Sequence, residues 1–202
     1  MFILNYSTVI DPLLRNIRVY TAEFSGIKTG EKILDIGCGT GDQVFHYARK
    51  DITATGIDKN PYMLRLAERN MRKRGLSNVS FQIADALNLP FPDNSFDHAS
   101  ISFALHENNS FARDKIVAEM KRVVKGGGNL ILLDFRVPLP KGFYRYFIHA
   151  IEFIVGSNNY RCFKDYIQQG GLDGILKKNQ LPRGNRDNMN NRILTIVKTT
   201  NV

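Results

Sequence analysis

Hydrophobic positions along this chain follow two periods. Short apolar runs at 32–36 (KILDI), 52–57 (ITATGI), 79–83 (VSFQI), 96–103 (FDHASISF) and 129–135 (NLILLDF) have the length and composition of buried strands. Between them apolar residues recur every three to four positions, as expected of helices. This holds over 42–50, over 61–74 with Met63, Leu66, Ala67 and Met71 on one face, and over 110–124 with Ile116, Met120, Val123 and Val124 inward. Asn60-Pro61 sets a capping side chain before a proline at the first helical position and predicts a helix start there. Asp11-Pro12 predicts the start of an opening helix by the same logic, with Leu13, Leu14, Ile17, Tyr20 and Phe24 at helical spacing. Gly126-Gly127-Gly128 are expected to break the 110–124 helix before the fifth strand. Strands alternating with helices predict an α/β fold: a parallel sheet with helices on both faces.

Beyond residue 136 the rhythm changes. Helices are expected over 143–155, 161–169 and 172–178, followed by a polar stretch at 183–191. No clear sixth strand is legible, because 181–189 contains Pro182, Gly184 and several asparagines and aspartates. RILTIVKT at 192–199 alternates as a final strand, expected antiparallel at the sheet edge. With 202 residues, 43% apolar and 23% charged, the chain fits one folded domain and excludes disorder. That domain divides into an N-terminal helical cap (1–30), a core (31–135) and a helical, basic C-terminal part (136–202).

Charge sharpens this division. Of the net +9, residues 1–135 carry 17 Lys/Arg against 15 Asp/Glu, whereas residues 136–202 carry 11 against 4. A basic third of this kind suits an anionic substrate, a nucleic acid or a lipid headgroup surface, or is simply a solvated face. The apolar run 143–155 includes Arg145, His149 and Glu152 and is shorter than the ~20 residues that cross a bilayer. The first residues lack a basic n-region and a cleavage pattern, so a cytoplasmic location is expected. Cys38 and Cys162 are far apart, which indicates reduced thiols and neither a disulfide framework nor a metal site.

The strongest chemical signal is Asp35-Ile36-Gly37-Cys38-Gly39-Thr40-Gly41, between a strand and a helix. Its glycines let a ligand lie against bare backbone. A dinucleotide fingerprint would need glycine at 42, where this chain has Asp42, and Asp35 would repel a pyrophosphate. A nicotinamide oxidoreductase is thereby excluded. Asp35 suits a ligand bearing a cation, and S-adenosylmethionine has an amino group, a sulfonium and no phosphate. Asp58, 19 residues past Gly39, is placed to accept both ribose hydroxyls, and Asp85, after the third strand, could accept from an adenine amino group. Each aspartate alone could be a loop residue or a cap. Three at the carboxyl ends of successive parallel strands line one crevice.

These residues carry a resemblance to the class I S-adenosylmethionine-dependent methyltransferases, in particular the ubiquinone and menaquinone biosynthesis group. ILDIGCGTG (33–41), GID (56–58), ADALNLPFPDNSFD (84–97) and RVVKGGGNLIL (122–132) match its motifs in order. The resemblance implies a Rossmann-like sheet and S-adenosylmethionine as cofactor, with S-adenosylhomocysteine as product. It assigns Asp35 and the loop Gly37, Cys38, Gly39, Thr40 and Gly41 to the methionine part, and Asp58 to the ribose. Lys59 and Met63 flank the adenine, Asp85 and Ala86 meet its edge, and Ser102 and Phe103 close over the methionine part. Where the quinone enzymes carry an Arg-Asn pair after the fourth strand, this chain has His106-Glu107, so the acceptor's identity does not transfer.

Methyl transfer from a sulfonium expels a neutral leaving group, so positioning in a dry cavity supplies much of the catalysis. An oxygen, carbon or acidic nitrogen acceptor still loses a proton, and His106 is the candidate general base. Its bland alternative is a histidine that orients substrate or caps the loop with Glu107. The aromatic stretch 143–155, with Lys141, Arg145, Arg161 and Lys164 nearby, suggests a lid over a small apolar or amphipathic acceptor presented at a membrane surface. A helix buried by the core or by a second copy in a homodimer fits equally well. A competing enzyme reading is a nucleic-acid methyltransferase, favoured by the basic tail and by Arg65, Arg69, Arg72, Lys73 and Arg74. Phe103-Ala104-Leu105-His106 in place of a Pro-Pro-aromatic signature speaks against it. A binding protein without turnover is the non-enzyme reading.

Overall fold

The computed structural model describes residues 6–48, 51–189 and 192–202. In chain order the elements are α1 (Tyr6–Ser25), β1 (Lys32–Ile36), α2 (Asp42–Ala48), β2 (Thr53–Asp58), α3 (Pro61–Arg74), β3 (Val79–Ile83), β4 (Phe96–Ser102), α4 (Ser110–Val123), β5 (Val124–Phe135), α5 (Phe143–Val155), α6 (Ser157–Gln168), α7 (Gly171–Lys178), β6 (Asn185–Met189) and β7 (Leu194–Thr200). The strands form one sheet in the order β3-β2-β1-β4-β5-β7-β6. β1 to β5 are parallel, whereas β7 runs antiparallel to both β5 and β6. Strand order reverses between β1 and β4, so their carboxyl ends open the crevice where such sheets take ligands.

The sheet is apolar on both faces because successive strand residues point to opposite sides. Leu34, Leu130, Leu132 and Val197 pack in one cluster with Ile116 and Met120 of α4, Tyr166 of α6 and Ile175 of α7. Their neighbours Ile33, Ile131, Leu133 and Ile196 pack in a second cluster with Ile17 of α1, Val44 and Phe45 of α2 and Leu64 of α3. Helix starts and stops follow local chemistry. Asn60 caps α3 by accepting from the Tyr62 amide, and Gly75 ends it at φ 63°, where a left-handed residue returns its amide to the carbonyls of Met71 and Arg72.

Several boundaries differ from the pattern-based expectation. α1 is already helical at Tyr6, the first described residue, so Asp11-Pro12 lies inside the helix rather than at its cap. Ile17 of that helix is buried and Leu14, Tyr20 and Phe24 pack beside it, while the side chain of Leu13 lies outside the described ones. Residues 49 and 50, expected at the end of α2, also lie outside the described residues. The glycine run does not separate α4 from β5: the strand starts at Val124 and contains all three glycines. A Cβ on Gly128 would stand 2.3 Å from the Asp97 carbonyl, so strand β4 passes too close for a side chain there.

The C-terminal correction is larger. A sixth strand exists at Asn185–Met189, and it takes the sheet edge that β7 was expected to occupy. Its side chains from Asn185 to Asn188 are exposed, so it carries no apolar signal; backbone pairing to β7 defines it. Polar side chains of this kind suit an edge that must not recruit another strand.

Candidate active site

The carboxyl ends of the parallel strands place the sequence-derived residues along one rim. After β1, Gly37, Gly39 and Gly41 take φ of 69°, 53° and 81°, conformations that side chains resist. The three have different neighbours. A Cβ on Gly41 would stand 2.6 Å from the ring of Phe81, whereas one on Gly39 would meet nothing within 4 Å. Gly41 therefore serves close packing, and Gly39 leaves bare backbone facing open space. The side chains of Cys38 and Thr40 are buried in the protein, so toward a ligand this loop offers main chain. Asp42 is structural: it pairs with Arg18 at 3.0 Å and with Arg74 at 3.2 Å.

The carboxylates differ in environment. Asp35 is buried; burial pushes its carboxyl up to about 7, although Ser100 Oγ donates to it at 2.6 Å and opposes the shift. Asp58, at the end of β2, accepts from the Gly39 amide at 2.9 Å and the Asn60 amide at 2.8 Å. It thereby ties the glycine loop to the start of α3. Each carboxylate oxygen can accept twice, so capacity remains for two hydroxyls. Asp85 is exposed and accepts from the Leu87 amide at 2.9 Å, a turn that shapes the loop after β3. That loop is clasped by Arg122, whose guanidinium donates to the carbonyls of Leu89 and Phe91 and pairs with Asp93 and Glu119. Lys59 is exposed, and Met63 and Ala86 are partly so. At the end of β4, Ser102 Oγ is buried without a hydrogen-bond partner, and Phe103 is held at φ 58°.

His106 stands beyond these on the β5 side. Its Nδ1 lies 2.6 Å from Asp134 Oδ1, its backbone amide donates to Asp134 Oδ2 at 3.1 Å, and its Nε2 lies 3.7 Å from Glu152 on α5. Burial disfavours the charged ring, but attraction and hydrogen bonding to Asp134, with Glu152 and Glu107 adding, outweigh it and raise the pKa to about 9. The ring thus keeps its proton to higher pH than an ordinary histidine, so the free lone pair that a general base needs emerges toward the alkaline side. Glu107 is exposed to solvent, yet desolvation by its neighbours raises its carboxyl. His106 opposes that rise, Asp134 reinforces it, and Lys59 and Asp58 act on it in opposite directions. Asp58 and Lys59 on the rim and the His106 cluster therefore share one electrostatic neighbourhood.

Asp134 and Glu152 escaped the sequence reading, although both left a trace. Asp134 stands second from the end of the apolar run LILLDF as Asp35 does in KILDI, and Glu152 is the one acid in an apolar helix.

The residues fit S-adenosylmethionine. The rim has carboxylates for cations and hydroxyls, an orphaned Ser102 hydroxyl, and open backbone at Gly39; its acids disfavour a phosphate-bearing ligand.

Comparison with known proteins agrees. The methyltransferase-domain family matches residues 27–180. The ubiquinone/menaquinone biosynthesis C-methyltransferase UbiE of Psychromonas ingrahamii is 41% identical over 124 residues, which are 59% of this chain and 49% of that protein. The chain thus spans about half that relative's length. The UbiE protein of Yersinia enterocolitica is 33% identical over 178 residues, covering 82% of this chain and 70% of that one. Among solved structures, a SAM dependent methyltransferase from Aquifex aeolicus has the same fold, with a TM-score of 0.65 at 20% identity over 92% of this chain and 89% of that one. The chain belongs to the methyltransferase-domain family, has the fold of its S-adenosylmethionine-dependent members, and resembles the ubiquinone/menaquinone C-methyltransferases among them.

Proposed function

We propose that the chain moves a methyl group from S-adenosylmethionine to a small apolar or amphipathic acceptor. The observation that carries this reading is the row of Asp35, Asp58 and Asp85 at the carboxyl ends of three adjacent strands, beside a glycine loop whose backbone is open at Gly39. The donor supplies a methyl group on a sulfonium: its carbon–sulfur bond breaks as the bond to the acceptor forms, and the sulfur leaves neutral.

The chain's part is binding, orientation and proton removal. Asp58 takes the ribose hydroxyls, Lys59 and Met63 flank the adenine, Asp85 and Ala86 meet its edge, and Ser102 and Phe103 cover the methionine part against the Gly37–Gly41 backbone. His106 receives the acceptor's proton on Nε2 when the ring is neutral, and Asp134 holds Nδ1–H and fixes the tautomer. Phe135, Phe163 and Tyr166 surround the ring and keep water away. The names of the UbiE relatives point to carbon methylation of a quinone precursor, and His106-Glu107 in place of Arg-Asn makes the acceptor the part to be found by experiment.

Extract metabolites incubated with the chain and donor should gain the mass of one methylene, and Asp58→Ala should remove that gain. With an acceptor in hand, the rate should rise with pH toward about 9. Glu152→Gln should move that rise to lower pH, because it removes a charge that favours the imidazolium. A flat profile in the wild type would rule out His106 as the base.

A further inference from the structure

The helix α5 presents to solvent an apolar surface that the fold does not use. Of the eleven large apolar side chains exposed among the described residues, seven lie on this one helix, Phe143, Tyr146, Phe153 and Ile154 being 65–81% exposed. Only a narrow stripe faces inward: Ile148 packs with Leu139 and Phe163, and Glu152, one turn on, reaches His106. Elsewhere such residues are scattered singly, which is ordinary; a cluster of this size on one helix marks an interaction surface.

Charge identifies the occupant. Residues 136–164 contain five Lys/Arg and a single acid, Glu152, which is buried. Lys141, Arg145, Arg161 and Lys164 are all exposed. Within this segment the exposed charge is therefore of one sign. A second copy packed two-fold on this face would set these cations against themselves with no exposed acid in the segment to answer them. Anionic phospholipid answers both features, since an apolar and aromatic face enters the acyl boundary while lysines and arginines meet the headgroups. The helix has 13 residues, about 20 Å at 1.5 Å per residue, too short to span but suited to lie in the interface.

We infer that α5 docks the chain on an anionic membrane surface. Because the inner stripe of the same helix touches His106, docking would set the methyl-acceptor side of the molecule against the bilayer. The inference rests on the α5 surface and stands whichever acceptor is methylated.

Cosedimentation of the full chain with vesicles tests it. Binding is expected to phosphatidylcholine vesicles containing phosphatidylglycerol, to weaken steeply with salt, and to be feeble on phosphatidylcholine alone. At about 1 kcal/mol per cation near the surface, each of Lys141→Glu, Arg145→Glu and Lys164→Glu should weaken binding by about fivefold or more. Phe143→Ser with Tyr146→Ser should also weaken it. Arg72→Glu with Lys73→Glu, on α3, should leave it near the wild-type level. Calorimetry with S-adenosylhomocysteine should give wild-type affinity in every variant, which separates loss of docking from misfolding and from failure of the cofactor reading. Absence of wild-type binding to anionic vesicles overturns the proposal. So does equal sensitivity to the α3 and α5 charges, or a dimer in light scattering that Phe147→Ser dissociates.

Discussion

A carboxylate is useful to a cationic ligand only while ionised, and Asp35 is the residue of this site where that condition is in question. Burial raises its carboxyl to about 7 from the ordinary 3.8. The protein therefore holds the proton more tightly than the unfolded chain does. This contribution to stability is full below the unfolded value and is lost as pH climbs to about 7. Ligand binding runs the other way, because a donor with an ammonium and a sulfonium prefers the ionised form. Affinity for S-adenosylmethionine should hold above pH 7 and fall toward tenfold for each unit below it, as calorimetry across that range would record. In Asp35→Asn that slope should vanish, with binding weaker than wild type above pH 7 and converging on it at lower pH. A wild-type affinity flat from pH 6 to 8 would show that Asp35 does not sense the donor's charge.

Among the elements, the β1–α2 loop shows how glycines at one spacing divide their work. Gly41→Ala combines a φ of 81° with a Cβ driven into the Phe81 ring, so urea denaturation should show a loss of about 1–3 kcal/mol or more. Gly39→Ala adds its methyl in open space and should cost less stability but more affinity for S-adenosylhomocysteine. The reverse ranking would overturn this division. Such distinctions lie beyond a motif, which records that glycine is present and not which neighbour excludes a side chain. The same limit explains what was legible elsewhere. The central parallel strands β1 and β4 announce themselves because both faces are buried, and Asn60-Pro61 because its capping chemistry is local. The Asp35, Asp58 and Asp85 row follows from strand ends alone. Strand β6 is polar because both its faces meet solvent, so only its partner reveals it, and α1 runs through a proline pair that reads as a start. His106 was legible as a titratable group beyond β4; its charge was not, since Asp134 and Glu152 come from elements 28 and 46 residues away.

The whole molecule joins two cores through one sheet, with the proposed cofactor rim along the top of the strands that both cores share. Leu34 belongs to one cluster and Ile33 to the other, and the same strand carries Asp35 and leads into the glycine loop. A ligand that ties this loop to Asp58 bridges β1 and β2 and should stabilise the fold as a whole rather than one segment. For a ligand at a hundred times its dissociation constant the gain is about 2.7 kcal/mol. In a chain of this size about 1 kcal/mol moves the melting temperature by ~2–4 °C. Saturating S-adenosylhomocysteine should therefore raise the calorimetric transition by roughly 5–11 °C as a single peak, with NADH giving no shift. Asp58→Ala should abolish the rise while keeping one transition, because the substitution removes two backbone contacts but leaves both apolar clusters intact. A ligand-dependent split into two peaks would mean that the clusters unfold separately and that the rim does not couple them.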